Sequence, residues 1–203
     1  NELYAAKLVV SHPFAKGDLS FGAEYSHNNR NTTYFNAEGI IENDQAQIKE
    51  GATSAFVEYA RQFGNLQMQA GLRYENVGFN YYDSGKHMKE QSKNYNNVFP
   101  SISFSFPIKD VQIMLGYTND ISRPSYWSLR SNITYVNRYM YDKGNPFLMP
   151  SLSHNVTLGA SYKWINLYVG YSHIMDEMIN QTVAWSEDDP TIALLTLVNS
   201  PEY

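Results

Sequence analysis

Cysteine is absent from all 203 residues, so no disulfide staples the chain and no thiol chemistry runs through it. Charge is scarce. Asp, Glu, Lys and Arg make up 17% of the sequence, below the roughly 25% usual for soluble domains. The net charge is −5, from 20 acidic and 15 basic residues without a basic stripe, which argues against nucleic acid as a partner. Long apolar runs are missing too. The longest, Ile192 to Val198, is interrupted by Thr196 and falls far short of the roughly 20 residues a membrane helix needs. No stretch keeps a convincing helical period, and no nucleophile elbow, phosphate loop or zinc motif occurs. His12, His27, His87, His154 and His173 are scattered without metal-ligand spacing. "SEDDP" at 186–190 is expected to be a solvated acidic loop rather than a calcium site. Asn-x-Thr sequons such as the one at Asn31 are chance matches in an Asn-rich chain. Nothing here points to an enzyme, a cofactor or a metal.

What is present is aromatic and neutral polar. Aromatics reach 15%, with 17 Tyr, and Asn, Ser and Gln stand where charge would normally be. The dominant pattern is alternation. In "NLQMQAGLRYE", residues 65–75, Leu66, Met68, Ala70, Leu72 and Tyr74 alternate with Gln67, Gln69, Gly71, Arg73 and Glu75. Successive strand side chains point to opposite faces. The same period organises residues 4–10, 19–25, 54–59, 101–106, 111–118, 155–162 and 167–172, with a ninth candidate at 192–198. The polar faces carry Ser, Gly, Gln, Asn and Thr, as a crowded lumen would. Tyr25, Tyr74, Tyr117 and Tyr171 end the apolar faces, where an aromatic girdle belongs.

The connections carry more information than the strands. Short turns are expected at 12–18, 62–65, 107–110 and 163–166, and long loops at about 28–50, 78–97, 120–152 and 177–191. Short and long strictly alternate, so one end of the sheet has tight turns and the other has long loops. Outer-membrane barrels show this one-sidedness. The expected fold is therefore all-β: an antiparallel up-and-down meander of about nine strands, a segment of a transmembrane β-barrel. The chain opens on Asn1 rather than Met and ends in a turn-like Asn-Ser-Pro. Residues 1–203 are thus expected to be one partial barrel domain cut from a larger protein.

Four stretches then read in order: "AGLRYE" (70–75), "FPSISFSF" (99–106), "LGYTNDISRPSYWSL" (115–129) and "GNPFLMPSLSHNVTLGASY" (144–162). They resemble the barrel of TonB-dependent outer-membrane receptors, closest to the outer-membrane protein β-barrel family. The resemblance covers about 100 residues by motif, and the first 70 fit as preceding strands. It implies residence in the bacterial outer membrane, contact with lipid, and uptake of a scarce nutrient such as a metal chelate, glycan or peptide. It also implies TonB as a partner through a plug domain that this chain does not contain, and more strands than nine.

Arg123 and Pro124 are expected to end a strand, because proline lacks a ladder donor. Gly144, Asn145, Pro146 and Pro150 are expected to steer the long loop back into the next strand. Between them lie Tyr126, Trp127, Arg130, Tyr135, Arg138 and Tyr139, with Tyr141 close behind. These are residue types enriched at binding hot spots, and they are candidate ligand contacts. Two alternatives stay open. One is a self-contained eight-stranded outer-membrane barrel acting as adhesin or structural protein, which needs its first and last strands to pair. The other is a soluble sandwich or lipocalin-like binding module, which needs charged outward faces.

Overall fold

The computed structural model describes residues 1–34, 44–186 and 191–202. Its regular elements are all strands: β1 (Glu2–Phe14), β2 (Gly17–Tyr34), β3 (Asp44–Phe63), β4 (Leu66–Asp83), β5 (Lys86–His87), β6 (Lys93–Ile108), β7 (Val111–Ser122), β8 (Ile133–Asn137), β9 (Met140–Lys143), β10 (Ser151–Tyr162), β11 (Ile165–Ala184) and β12 (Ala193–Glu202). Nine long strands form the wall in the order β1-β2-β3-β4-β6-β7-β10-β11-β12, each antiparallel to its neighbour. The three short ones belong to the connections. β5 folds back on β4. The β8–β9 hairpin reaches round to β12, where β9 pairs in parallel. Among the described residues β1 and β12 do not pair, so the sheet is open.

The nine expected strands are present, but longer than the alternation indicated. The short turns shrink to two residues each: Ala15-Lys16, Gly64-Asn65, Lys109-Asp110 and Lys163-Trp164. Ala15 and Lys16 both sit at positive φ (49° and 63°), the tight hairpin turn whose twist matches the flanking strands. Three of these turns start on a non-glycine at positive φ, which is why composition placed their edges too far out. The expected long loops shrink as well. β2 runs to Tyr34 and β3 starts by Asp44. β4 runs to Asp83, β11 runs to Ala184, and β12 starts at Ala193. Part of the expected 28–50 loop (35–43) and most of the acidic stretch (187–190) lie outside the described residues.

The wall strands β1, β2, β3, β4, β6, β7, β10 and β11 each carry an outward apolar stretch next to their short turn. The register aligns these into rows, such as Val10, Phe21, Val57 and Leu72. All four are substantially exposed. The four tyrosines that end the stretches do not share one row. Tyr25 stands level with Asn76, two residues beyond Tyr74, while Tyr117 and Tyr171 stand level with Ala70. The girdle therefore drops by six residues over six strand spacings. That is roughly 20 Å along the strands against roughly 29 Å across them. The resulting inclination of about 35° matches the roughly 35–45° tilt of membrane barrel strands. The descent is uneven, two residues from Tyr25 to Tyr74, four from Tyr74 to Tyr117 and none from Tyr117 to Tyr171, so about 35° is the mean inclination of the plane they mark.

Beyond that plane the packing reverses. On β4 the odd-numbered residues, polar below, become Val77, Phe79 and Tyr81, all buried on the inner face. They meet the β7–β10 connection, which folds back across the sheet. Ala46, Ile48, Phe79, Tyr81, Leu129 and Leu148 form one apolar cluster, with Tyr81 0% and Leu148 1% exposed. On the outer face the same height is polar. Asn76 Nδ2 donates to Asn94 Oδ1 (3.0 Å) and Asn96 Oδ1 (2.8 Å), and Tyr74 Oη also donates to Asn96 Oδ1 (2.8 Å).

Candidate functional site

Inside the wall, at the level of the girdle and just above it, the scarce charges gather. One row of the register carries Lys7, Glu24, Ser54 and Glu75. Glu24 receives Lys7 Nζ at 2.5 Å and Arg73 Nη1 at 2.7 Å. Arg73 Nη2 also reaches Glu75 at 3.1 Å, and Glu75 is contacted in turn by Arg123 Nη2. The charges alternate in sign along this chain across β1, β2, β4 and the segment after β7. With Glu50 of β3 they line a cleft of about 390 Å³. Burial raises the Glu50 carboxyl above its ordinary range, opposed by the Arg123 charge and a Tyr126 hydrogen bond. Burial also lowers Arg123, whose charge Glu50 supports. Tyr95 nearby is pushed up to about 12 by burial and by Glu50.

Arg123, expected only to end a strand, thus ties the base of the long connection to buried Glu75. Two of the sequence stretches, "GLRYE" and "SRP", are joined by this contact. Glu24, Glu50 and Lys7 were not singled out from the sequence. The signal was there: in a charge-poor chain, single charged residues inside alternating strands mark positions with partners.

The connection is built by its own residues. Gly144 lies so close to Arg130 that a Cβ there would collide with the Arg130 carbonyl oxygen and stand 2.7 Å from Arg130 Cγ. Asn145 N donates to the Ser128 carbonyl (2.6 Å), and Asn145 Nδ2 donates to the Leu197 carbonyl (3.0 Å), fastening the loop to β12. Asn199 pairs with both backbone groups of Met149 (2.8 and 2.9 Å). Lys93 Nζ donates to the Phe147 and Leu148 carbonyls (2.6 and 2.9 Å), and burial lowers its pKa. Pro146 and Pro150 flank buried Leu148 beside Pro124.

The six candidate contact residues separate. Arg130 is 4% exposed. It donates to Asp142 Oδ2 (2.6 Å) and the Trp127 carbonyl (2.9 Å), and stacks on the Trp127 ring. Tyr126 accepts a hydrogen bond from Asn28 Nδ2 (2.6 Å) under the Arg30 guanidinium. Trp127, Tyr135 and Tyr139 are exposed. Arg138 lies over the Tyr139 ring at the tip of the β8–β9 hairpin, and Tyr141 packs between Tyr135 and Trp185.

The family model for the outer membrane protein beta-barrel family matches residues 1–202. The chain belongs to that family. Its apolar belt therefore faces the lipid of the bacterial outer membrane. Among solved structures it is similar to the copper transporter OprC (11% identity, TM-score 0.68, 97% of this chain and 32% of that one). It is similar also to the Serratia marcescens hemophore receptor HasR, solved with its hemophore and heme (12%, 0.63, 97% and 37%). A third is the ferric yersiniabactin uptake receptor FyuA of Yersinia pestis (13%, 0.55, 87% and 29%). At such identities the likeness carries the fold alone. The chain spans about a third of their length. No curated relative matches it. Family and fold overturn the soluble-module alternative. The eight-stranded barrel requires a β1–β12 pairing that the described residues do not make.

Proposed function

We propose that residues 1–203 form part of the wall of a TonB-dependent receptor that imports a scarce nutrient: a metal chelate, a glycan or a peptide. Further strands complete the barrel, and a plug domain outside this chain couples it to TonB. The observation that carries this reading is the loop-end chamber. The wall rises well past the girdle, and the β7–β10 connection folds inward over it instead of standing free in solvent. Its exposed aromatics, Trp127, Tyr135 and Tyr139, with Tyr126 and Arg138, are the ligand-contact surface. Arg130, buried against Asp142, shapes that surface from behind. The printed names of the similar receptors (copper, heme and hemophore, ferric yersiniabactin) support uptake of chelated metal as the first class to test.

The test is uptake by the parent bacterium with and without the full-length gene, on a panel of labelled metal chelates, oligosaccharides and peptides. The expected result is loss of one class of uptake, reproduced by removing TonB. Uptake unchanged across the whole panel would overturn the reading.

A further inference from the structure

The histidines show no metal-ligand spacing along the sequence, but strand pairing brings two of them together. His154 of β10 and His173 of β11 are direct partners in the ladder. Such partners hold their Cβ atoms roughly 4.5–5.5 Å apart on one face. That face is the outer one, since His173 follows Leu167, Val169 and Tyr171 in the same parity. The two ring centroids stand 6.5 Å apart, with their planes 24° from parallel. Both side chains are half-buried. The row below them is Tyr117, Val156 and Tyr171, the girdle level on these strands. The pair therefore sits one step outside the hydrocarbon, within reach of aqueous ions.

The ring nitrogens are arranged for capture. His154 Nδ1 is paired with Tyr117 Oη at 2.9 Å, and the two rings stack at 6.2 Å. In the tautomer whose Nδ1 donates to Tyr117, Nε2 presents a lone pair. A ligating histidine ordinarily spends its other nitrogen this way, which fixes its tautomer and orientation. No hydrogen bond among the described residues engages His154 Nε2 or either nitrogen of His173. The other histidines differ. His87 is bonded to Ser92 Oγ (2.9 Å) and packs on Tyr82. His12 and His27 stand opposite Leu19 and Tyr4, without a second imidazole beside them.

We infer that His154 and His173 form a two-imidazole site for a first-row transition-metal ion, Cu2+ most tightly, on the outer wall at the membrane boundary. Neutral imidazole suits copper, nickel and zinc, and Cu2+ leads the affinity order. Metal–nitrogen bonds of about 2.0–2.1 Å, set at a right to tetrahedral angle, bring two ring centroids to about 4.5–5 Å. Each ring then closes by about 1 Å or less from its present place, which a half-buried side chain at the surface can do. Among the described residues no three His, Cys, Asp or Glu side chains converge. The site is therefore bidentate, and water or a small chelator fills the remaining positions. A bound ion ties β10 to β11 at the end of their ladder away from the Lys163-Trp164 turn. The inference needs only the outer wall, and no transported nutrient enters it, so it and the import function stand or fall separately.

The test adds Cu2+–iminodiacetate, a chelate with open positions for a pair of nitrogens, to the full-length protein in detergent. Electron spin echo modulation from the remote imidazole nitrogens counts the histidines on copper. The wild type should carry two. His154→Gln and His173→Gln should each leave one and weaken binding about tenfold or more, while heat-modifiable migration shows that both variants fold. His12→Gln should change neither reading. A two-imidazole signal absent from the wild type, or surviving in His154→Gln and His173→Gln, would overturn the inference. Tyr117→Phe keeps the ring and removes the acceptor. It should weaken copper binding about tenfold with both imidazoles still bound. Unchanged affinity there would overturn the orienting role of Tyr117.

Discussion

From Leu66 to Tyr74, strand β4 turns its apolar side chains outward. From Val77 to Tyr81 it turns them inward. Nothing in the backbone changes between the two halves, since the ladder with β3 runs unbroken from Phe63 to Ala46. What changes is the solvent on either side. Below Tyr74 the outer face meets lipid and the inner face carries Gln67, Gln69 and Arg73. Above it the outer face meets water and bears the Asn76–Asn94–Asn96 network, while the inner face supports the folded connection. A strand in a barrel wall thus has two hydrophobic faces at two heights, and the crossover marks the edge of the hydrocarbon.

Substitutions on the two halves should fail in different ways. Phe79→Ala removes a ring from the upper cluster and should cost about 3–5 kcal/mol. The cost should appear as local opening, measured by amide exchange around Leu129 and Leu148, with the barrel itself intact. Ala70→Arg, in the middle of the lower belt, should cost about 2–4 kcal/mol. It should appear instead in global unfolding from vesicles, with the upper amides unaffected until the barrel goes. If both variants moved the same transition equally, the two halves would be one cooperative unit.

The contact between Glu75 and Arg123 sits where the halves meet. Glu75→Ala leaves Arg73 and Arg123 without their shared carboxylate and should cost about 1.5–3 kcal/mol, exposing the 123–130 segment to protease while heat-modifiable migration persists. Gly144→Ala forces a shift of the backbone at Arg130. Overpacking of this kind costs roughly 1–3 kcal/mol, and the variant should lose protection at Leu148 but not at Tyr81. The smallest effect belongs to Glu50. Burial raises its carboxyl pKa in the folded state above the 4.5 of the free side chain, so folding favours the protonated form. Below 4.5 both states hold the proton and no cost arises. As pH rises from 4.5 through the folded value, stability is lost. Glu50→Gln should therefore slightly stabilise the connection at pH 7 and make no difference at pH 4, in exchange measurements at the two pH values.

The same contrast explains what the sequence could and could not tell. The lower halves were legible because lipid imposes a strict period of two, and the tight turns below them follow from chain reversal. The alternation of short and long connections gave the barrel and its orientation. The upper halves were read as loops because their apolar residues occupy the opposite parity. Val77, Phe79 and Tyr81 break the pattern set by Leu66 to Tyr74, and the residues they pack on, Leu129 and Leu148, lie some 50 to 70 positions away. Arg123 looked like the end of a strand because its partner, Glu75, is 48 residues distant. Arg130 looked like a surface contact because nothing local shows that Asp142 and Trp127 enclose it.

The central claim is that β4 leaves the hydrocarbon between Tyr74 and Asn76. The most direct test is a nitroxide scan of residues 66 to 82, one label at a time, in the full-length protein in membranes, reading collisions with oxygen and with a water-soluble relaxer. The account predicts strong oxygen contact at even positions through 74, a switch to water contact at 76, 78 and 80, and protection from both at 77, 79 and 81. Oxygen contact continuing at even positions up to 82 would contradict it.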